Sequence, residues 1–163
     1  ECVLNQNARD AGAACSPAMN FDSLQRCHHH NVAILQIPCP EIVALGFERR
    51  RPAGQSLRQA LESEHGRSRC QALAIETADR IEGNISRGCA LVAIVGGNPR
   101  SPGCAIHHGP DGLRDESGVF MKTLQNELIS RGHDAPFQPM RDYDPQLLQQ
   151  DLACFQERLS STC

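Results

Sequence analysis

Two short runs of β-branched and aliphatic residues, Val32 to Ile37 and Ala90 to Val95, constrain this chain more than any other feature. Pro38 ends the first and Gly96-Gly97 ends the second; a weaker run lies near Ala135 to Met140. Continuous apolar runs of this length, bounded by glycine or proline, suit parallel strands covered on both faces. Helical patterns lie between them. Ser16-Pro17 offers an N-cap with proline at the first helical position, leading into Phe21 and Leu24. From about Leu57 to Arg87, one stripe carries Leu73, Ala74, Ala78, Ile81 and Ile85. Ser117 to Arg131 repeats the period with Phe120, Leu124 and Leu128, and Gly132 is a natural stop. Asp144-Pro145 opens a last amphipathic helix with Leu148, Leu152, Phe155 and Leu159. This alternation predicts one α/β domain over residues 1–163, a Rossmann-like open parallel sheet with helices on both faces. Glu1 to Leu4 read as the tail of a first strand, whose beginning is expected upstream of Glu1.

A hydrophobic fraction of 40% in 163 residues is enough for a core that needs no disulfide staples. No apolar run approaches the roughly 18 residues of a spanning helix, and no signal-peptide pattern opens the chain, so a cytoplasmic protein is expected. The net charge of −3 gives no electrostatic case for nucleic acid. Arg49-Arg50-Arg51 is a local exception, read as a solvated loop or an anion contact. With no tryptophan and 4% aromatic residues, a base-stacking platform is not expected either. The expected partner is a small molecule, and the chain itself is expected to be a monomer or a homodimer.

Nine cysteines, an odd and high count, point to metal or catalytic use in a chain with no secretion signal. In an open parallel sheet, ligands gather outside the carboxyl ends of the strands. Cys2 ends the presumed first strand, Cys39 follows the strand ending at Ile37, and Cys104 follows the strand ending at Val95. Cys15 also comes within reach of that edge. Cys70 and Cys154 sit inside helical patterns as small core residues, Cys89 begins a strand on the opposite edge, Cys27 ends a helix, and Cys163 is the last residue. Three soft thiolates suit zinc or an iron–sulfur cluster, and buried free thiols are the even-odds alternative. Zinc-finger pairs and ferredoxin runs are both missing.

Glu41 and Ser101 share those loops. Glu41 is a candidate general base or a helix-end carboxylate, and Ser101 is a nucleophile, a water-positioning donor or a turn residue. His28-His29-His30 reads as a solvent-facing helix end, and His107 or His108 as a ligand or proton donor of second rank.

Cys2-Val3-Leu4-Asn5-Gln6-Asn7-Ala8-Arg9, then Cys39-Pro40-Glu41, then Ser101-Pro102-Gly103-Cys104 resemble, in order and approximate separation, the 2-thiouracil desulfidase family and its related desulfidases. The resemblance runs from Cys2 to about Gly132. It implies that Cys2, Cys39 and Cys104 hold a [4Fe–4S] cluster with one iron free of protein ligands. It further implies that Glu41 and Ser101 are catalytic, that Asn7 and Arg9 contact substrate, and that the reaction is non-redox release of hydrosulfide from a small thiolated compound such as 2-thiouracil. Gly103 departs from the pattern, since family members commonly carry a second serine there. The alternatives are a sulfur-inserting transferase, or an electron carrier or cluster sensor with a fourth protein ligand.

Overall fold

The helical stripes decide the architecture. The computed structural model describes residues 1–161, with six α-helices: α1 (Phe21–His29), α2 (Pro40–Leu45), α3 (Leu57–Glu62), α4 (Glu64–Ile85), α5 (Val119–Ser130) and α6 (Pro145–Ser160). Gln6–Ala8 form one turn of 3-10 helix. On α4, Leu73, Ala74, Ala78 and Ile81 are buried, and they pack with Phe120, Leu124 and Leu128 of α5 in one hydrophobic cluster. A second cluster joins Cys27 of α1 to Leu152, Phe155 and Leu159 of α6, with Met140.

The expected open parallel sheet is not present. The strands among the described residues are β1 (Ile94–Val95), β2 (His108–Gly109), β3 (Gly112–Leu113) and β4 (Phe137–Gln138), each two residues long. β1 pairs in parallel with β4, and β2 pairs antiparallel with β3 in a small hairpin. A strand exists only where a neighbour takes its backbone groups. Residues 33–38 and 90–93 make no backbone hydrogen bond among the described residues, so the first run forms no strand and the second forms only its last two residues. Glu1 to Leu4 form a turn rather than the tail of a strand. The Rossmann-like fold class is therefore wrong: the chain is mostly helical, with two minimal pairings.

The helix boundaries differ locally. The first helix is capped by Asn20, whose side chain accepts from the Ser23 N–H, and not by Ser16. Leu57 to Arg87 is two helices, because Ser63 turns extended (ψ 163) and caps α4 by accepting from the Gly66 N–H. Asp144 caps α6 as expected, accepting from the N–H groups of Gln146 and Leu147. Cys70 is buried in α4, but Cys154 is exposed on α6 and is no core residue. Cys163 lies outside the described residues. None of the helices described is long and apolar enough to cross a membrane.

The two helical glycines of α4 give a paired prediction. A Cβ at Gly66 would lie 2.3 Å from the Ala60 carbonyl oxygen and 2.5 Å from that of Leu61, whereas Gly83 faces open space. Gly66→Ala should destabilise by about 1–3 kcal/mol through overpacking. Gly83→Ala should stabilise by about 0.5–1 kcal/mol by restricting the unfolded chain. Urea denaturation of both variants checks the pair, and equal effects would contradict the packing at Gly66.

Candidate active site at the cysteine loops

Three loops contribute to the lining of a cavity of about 590 Å³, which includes Cys2, Cys39, Gly97 and Cys104. Cys39 is the residue before α2, so Pro40 stands at the first helical position and Glu41 in the first turn. The Cys39 N–H donates to the Glu1 carboxylate at 2.6 Å, which ties the amino-terminal turn to this loop. Cys104 is held by α5: the N–H groups of Gly118, Val119 and Phe120 donate to the carbonyls of Ala105, Pro102 and Gly103 at 2.8, 2.8 and 3.1 Å. Cys2 is held by Gln6, whose side-chain amide donates to the Cys2 carbonyl at 2.8 Å.

The Cys2 and Cys104 sulfurs share one space. A Cβ on Gly97 would fall 2.7 Å from the Cys104 sulfur and 3.1 Å from that of Cys2, so only glycine leaves room for both. The Cys104 thiol donates to Cys2 and brings the Cys2 pKa down to about 6, against the opposing effect of burial. Cys104 is pushed well up by the same contact and by burial. Burial, with Glu41 nearby, also raises Cys39. The contact thus favours the thiolate on Cys2 over Cys104, and a thiolate is what a thiophilic metal or an electrophile meets first.

Behind the sulfurs runs a chain of polar contacts. The Ser101 hydroxyl donates to Glu41 Oε1 at 2.9 Å and accepts from the Cys104 N–H at 3.1 Å. The Cys104 sulfur also lies 3.1 Å from Ser101 Oγ. Glu41 Oε2 accepts from Arg49 Nε at 2.8 Å, and Arg49 Nη2 donates to the Ala8 carbonyl at 2.6 Å. Arg49 is 4% exposed, so the first arginine of the triplet is not a solvated loop residue; the anion it meets is the chain's own Glu41, and its backbone adopts φ 49. Arg50 and Arg51 remain exposed. A positive φ at a non-glycine residue is uncommon, and the buried ion pair holds it there.

The structure sets Cys2 beside Cys104, and Ser101 joins Cys104 to Glu41; Cys39 lines the same cavity, and Glu41 and Ser101 stand outside its lining. Asn7 and Arg9 stand apart from the cavity lining. Asn7 is exposed, while Arg9 is half-buried and binds Asp142 Oδ2 at 2.5 Å and the Cys15 sulfur at 3.1 Å. Cys15 is exposed. His107 contacts the Pro99 carbonyl through Nε2 at 3.0 Å and lies outside the lining. The sequence reading missed Arg49, Gln6 and Asp142, which brace the loops from behind. A lone arginine in a basic triplet and an aspartate beside a tyrosine carry no local signal.

Among the described residues, no group of three or more His, Cys, Asp or Glu side chains is spaced to hold one metal ion. No protein-family model, curated protein or solved structure matches this chain.

The buried pair predicts a mutational signature. Arg49→Met strands the Glu41 carboxylate and should cost about 3–5 kcal/mol, whereas Glu41→Gln with Arg49→Met should recover much of that loss. Urea denaturation of the two single variants and the double checks this; simple additivity would mean that the pair is not coupled.

Proposed function

We propose that this protein is a desulfidase, removing sulfur from a small thiolated compound by non-redox hydrolysis at a [4Fe–4S] cluster held by Cys2, Cys39 and Cys104. The observation that carries the reading is a pair of adjacent thiols, Cys2 and Cys104, backed by a hydroxyl and a carboxylate: Ser101 links Glu41 to Cys104 through contacts of 2.9 and 3.1 Å. The donor set fits such a group. Three cysteines on three loops are the soft ligands it takes, and Gly97 leaves a cradle in front of two of them that a methyl would fill. A cubane spreads its thiolates over several irons, so spacing that suits no single metal ion does not count against it. When bound, the cluster would supply an open iron that polarises the thiocarbonyl, Lewis-acid chemistry without electron transfer.

The chain's own residues account for the rest. Glu41 pairs Oε2 with Arg49 and receives the Ser101 hydrogen bond on Oε1. Glu41 would take a proton from a water aligned by the Ser101 hydroxyl as that water's oxygen adds to the thiocarbonyl carbon. The carbon–sulfur bond then breaks, sulfur departs as hydrosulfide, and the carbonyl product carries the water's oxygen. Arg49 fixes the carboxylate without reaching the reacting atoms.

A carrier or sensor would require a fourth protein ligand. Cys15 is the residue to ask, and its sulfur turns to Arg9 and to the Ala13 carbonyl instead.

Anaerobic reconstitution with iron and sulfide, followed by incubation with 2-thiouracil and measurement of released sulfide, tests the reading. Serine at Cys2, Cys39 or Cys104 should abolish iron retention, and so should Gly97→Ala, while Cys15→Ser and Cys154→Ser should retain it. With equal iron content, Glu41→Gln should lower turnover by roughly 10²- to 10⁴-fold. Near-normal sulfide release by cluster-loaded Glu41→Gln would remove Glu41 from the mechanism, and no iron retention by the parent protein would remove the cluster.

A further inference from the structure

Two of the nine cysteines face each other across a gap with no side chain in it. The Cys2 and Cys104 sulfurs both lie within 3.1 Å of the point that a Cβ on Gly97 would occupy, and the Cys104 thiol hydrogen-bonds to that of Cys2. Both are free thiols, half-buried, and both line the cavity, through which a small reagent reaches them. Cys39 is set differently. Apart from burial, the groups that bear on its thiol are the N–H groups of Ile42 and Glu41 and the charges of Glu41 and Arg49, all from α2 and the loop after it.

The two are anchored unequally. Cys104 sits on a loop whose carbonyls at Pro102, Gly103 and Ala105 accept from the N–H groups that open α5. Cys2 stands in a turn, followed by one turn of 3-10 helix, with the Gln6 side chain on its carbonyl. A disulfide asks for sulfurs about 2.05 Å apart and a dihedral near 90° about their bond. Gly97 presents nothing that must be moved aside, and the Cys2 turn is the partner able to make the approach.

We propose that Cys2 and Cys104 are a redox-active dithiol that closes to a disulfide at the expense of a low-molecular-weight disulfide such as oxidised glutathione. Cys2, having lost its proton, attacks one sulfur of the reagent, whose own S–S bond breaks and whose other half leaves as a thiolate with the bonding pair. Cys104 then loses its proton, attacks the Cys2 sulfur of the mixed disulfide and expels the second half. Two protein thiols are oxidised by two electrons, the reagent is reduced to two thiols, and the protons of Cys2 and Cys104 end on them. An excess of the reduced reagent reverses the exchange. Closure leaves Cys39 as the one free thiol of the three, so the pair is a reversible lock: a thiophilic occupant is held by the reduced form alone. Applied to the cluster, that consequence rests on the desulfidase reading, whereas closure itself does not.

The test equilibrates the iron-free protein with mixtures of reduced and oxidised glutathione, quenches it with acid, alkylates the remaining thiols and maps the tryptic peptides by mass spectrometry. Cleavage after Arg9, Arg100 and Arg114 places Cys2 in residues 1–9 and Cys104 in residues 101–114. These two peptides should appear joined, lighter by two hydrogens than their sum, and should separate again under excess reduced glutathione. In Cys104→Ser, Cys2 should stop at the mixed disulfide with glutathione. Gly97→Ala keeps both thiols but sets a methyl in the gap, and it should slow closure by about 10-fold or more. The parent chain carries the test alone should either variant fail to fold. Glutathione on both Cys2 and Cys104 with no joined peptide would overturn the proposal, as would Cys39 joined to either of them, or closure of Gly97→Ala at the parent rate. Closure by a protein that retains no iron when reduced would support this inference and remove the cluster, so the two readings fail separately.

Discussion

The cysteine end of this molecule depends on one buried ion pair. Glu41 lies in the first turn of α2, and its carboxylate is closed off from water between Arg49 and Ser101. A buried carboxylate is tolerable only when charge and hydrogen bonds answer it, and each answering group is attached to a different loop. Arg49 reaches back to Ala8, behind the Cys2 loop, and Ser101 holds the amide and thiol of Cys104. The pair thus sets the mutual position of all three cysteine loops. It also forces a left-handed backbone at Arg49, a conformation that a side chain with no partner there would not hold.

Close packing completes what the ion pair begins. Gly103 shows this at the position where the chain departs from the desulfidase pattern. A Cβ at 103 would lie 2.7 Å from Pro40 Cγ and 3.4 Å from Glu41 Cγ, so a serine there would push the Cys104 loop away from the Cys39 loop. In this chain the missing side chain brings the two ligand loops together rather than loosening them. The hydrogen bonding that a second serine would contribute falls instead to Ser101 alone, which already serves Glu41, the Cys104 amide and the Cys104 thiol.

The helices were legible in the sequence because an amphipathic stripe is a local pattern with a local consequence. Leu73, Ala74, Ala78 and Ile81 form the buried face of α4, and Leu152, Phe155 and Leu159 that of α6. The break at Ser63 was not legible, since a serine inside a helical period signals an end only when it caps the turn that follows. Strands are different in kind. Val32 to Ile37 has the composition of a buried strand and remains unpaired, because a strand is a relation between two segments and no periodicity reveals the partner. Cys2, Cys39 and Cys104 still line one cavity despite that error. The glycine and proline stops that suggested strand ends still mark where extended chain turns into a loop, whether or not the extended part is paired.

Two kinds of order therefore meet at Cys2. On the loop side, Gln6 and the Arg9–Asp142 pair brace it, and Cys104 lowers its pKa to about 6. Along the cavity, residues 33–38 and 90–93 line the same space and make no backbone hydrogen bond among the described residues. The sulfur electrostatics and the backbone contribute differently. A low thiol pKa makes Cys2 an available thiolate in any arrangement that keeps Cys104 beside it. Holding a multinuclear group needs more, because all three sulfurs must keep their separations against thermal motion of the loops that carry them. Cys39 and Cys104 obtain that rigidity from α2 and α5. Cys2 has only a turn and a 3-10 helix behind it, so its position governs how firmly the three sulfurs can keep their separations.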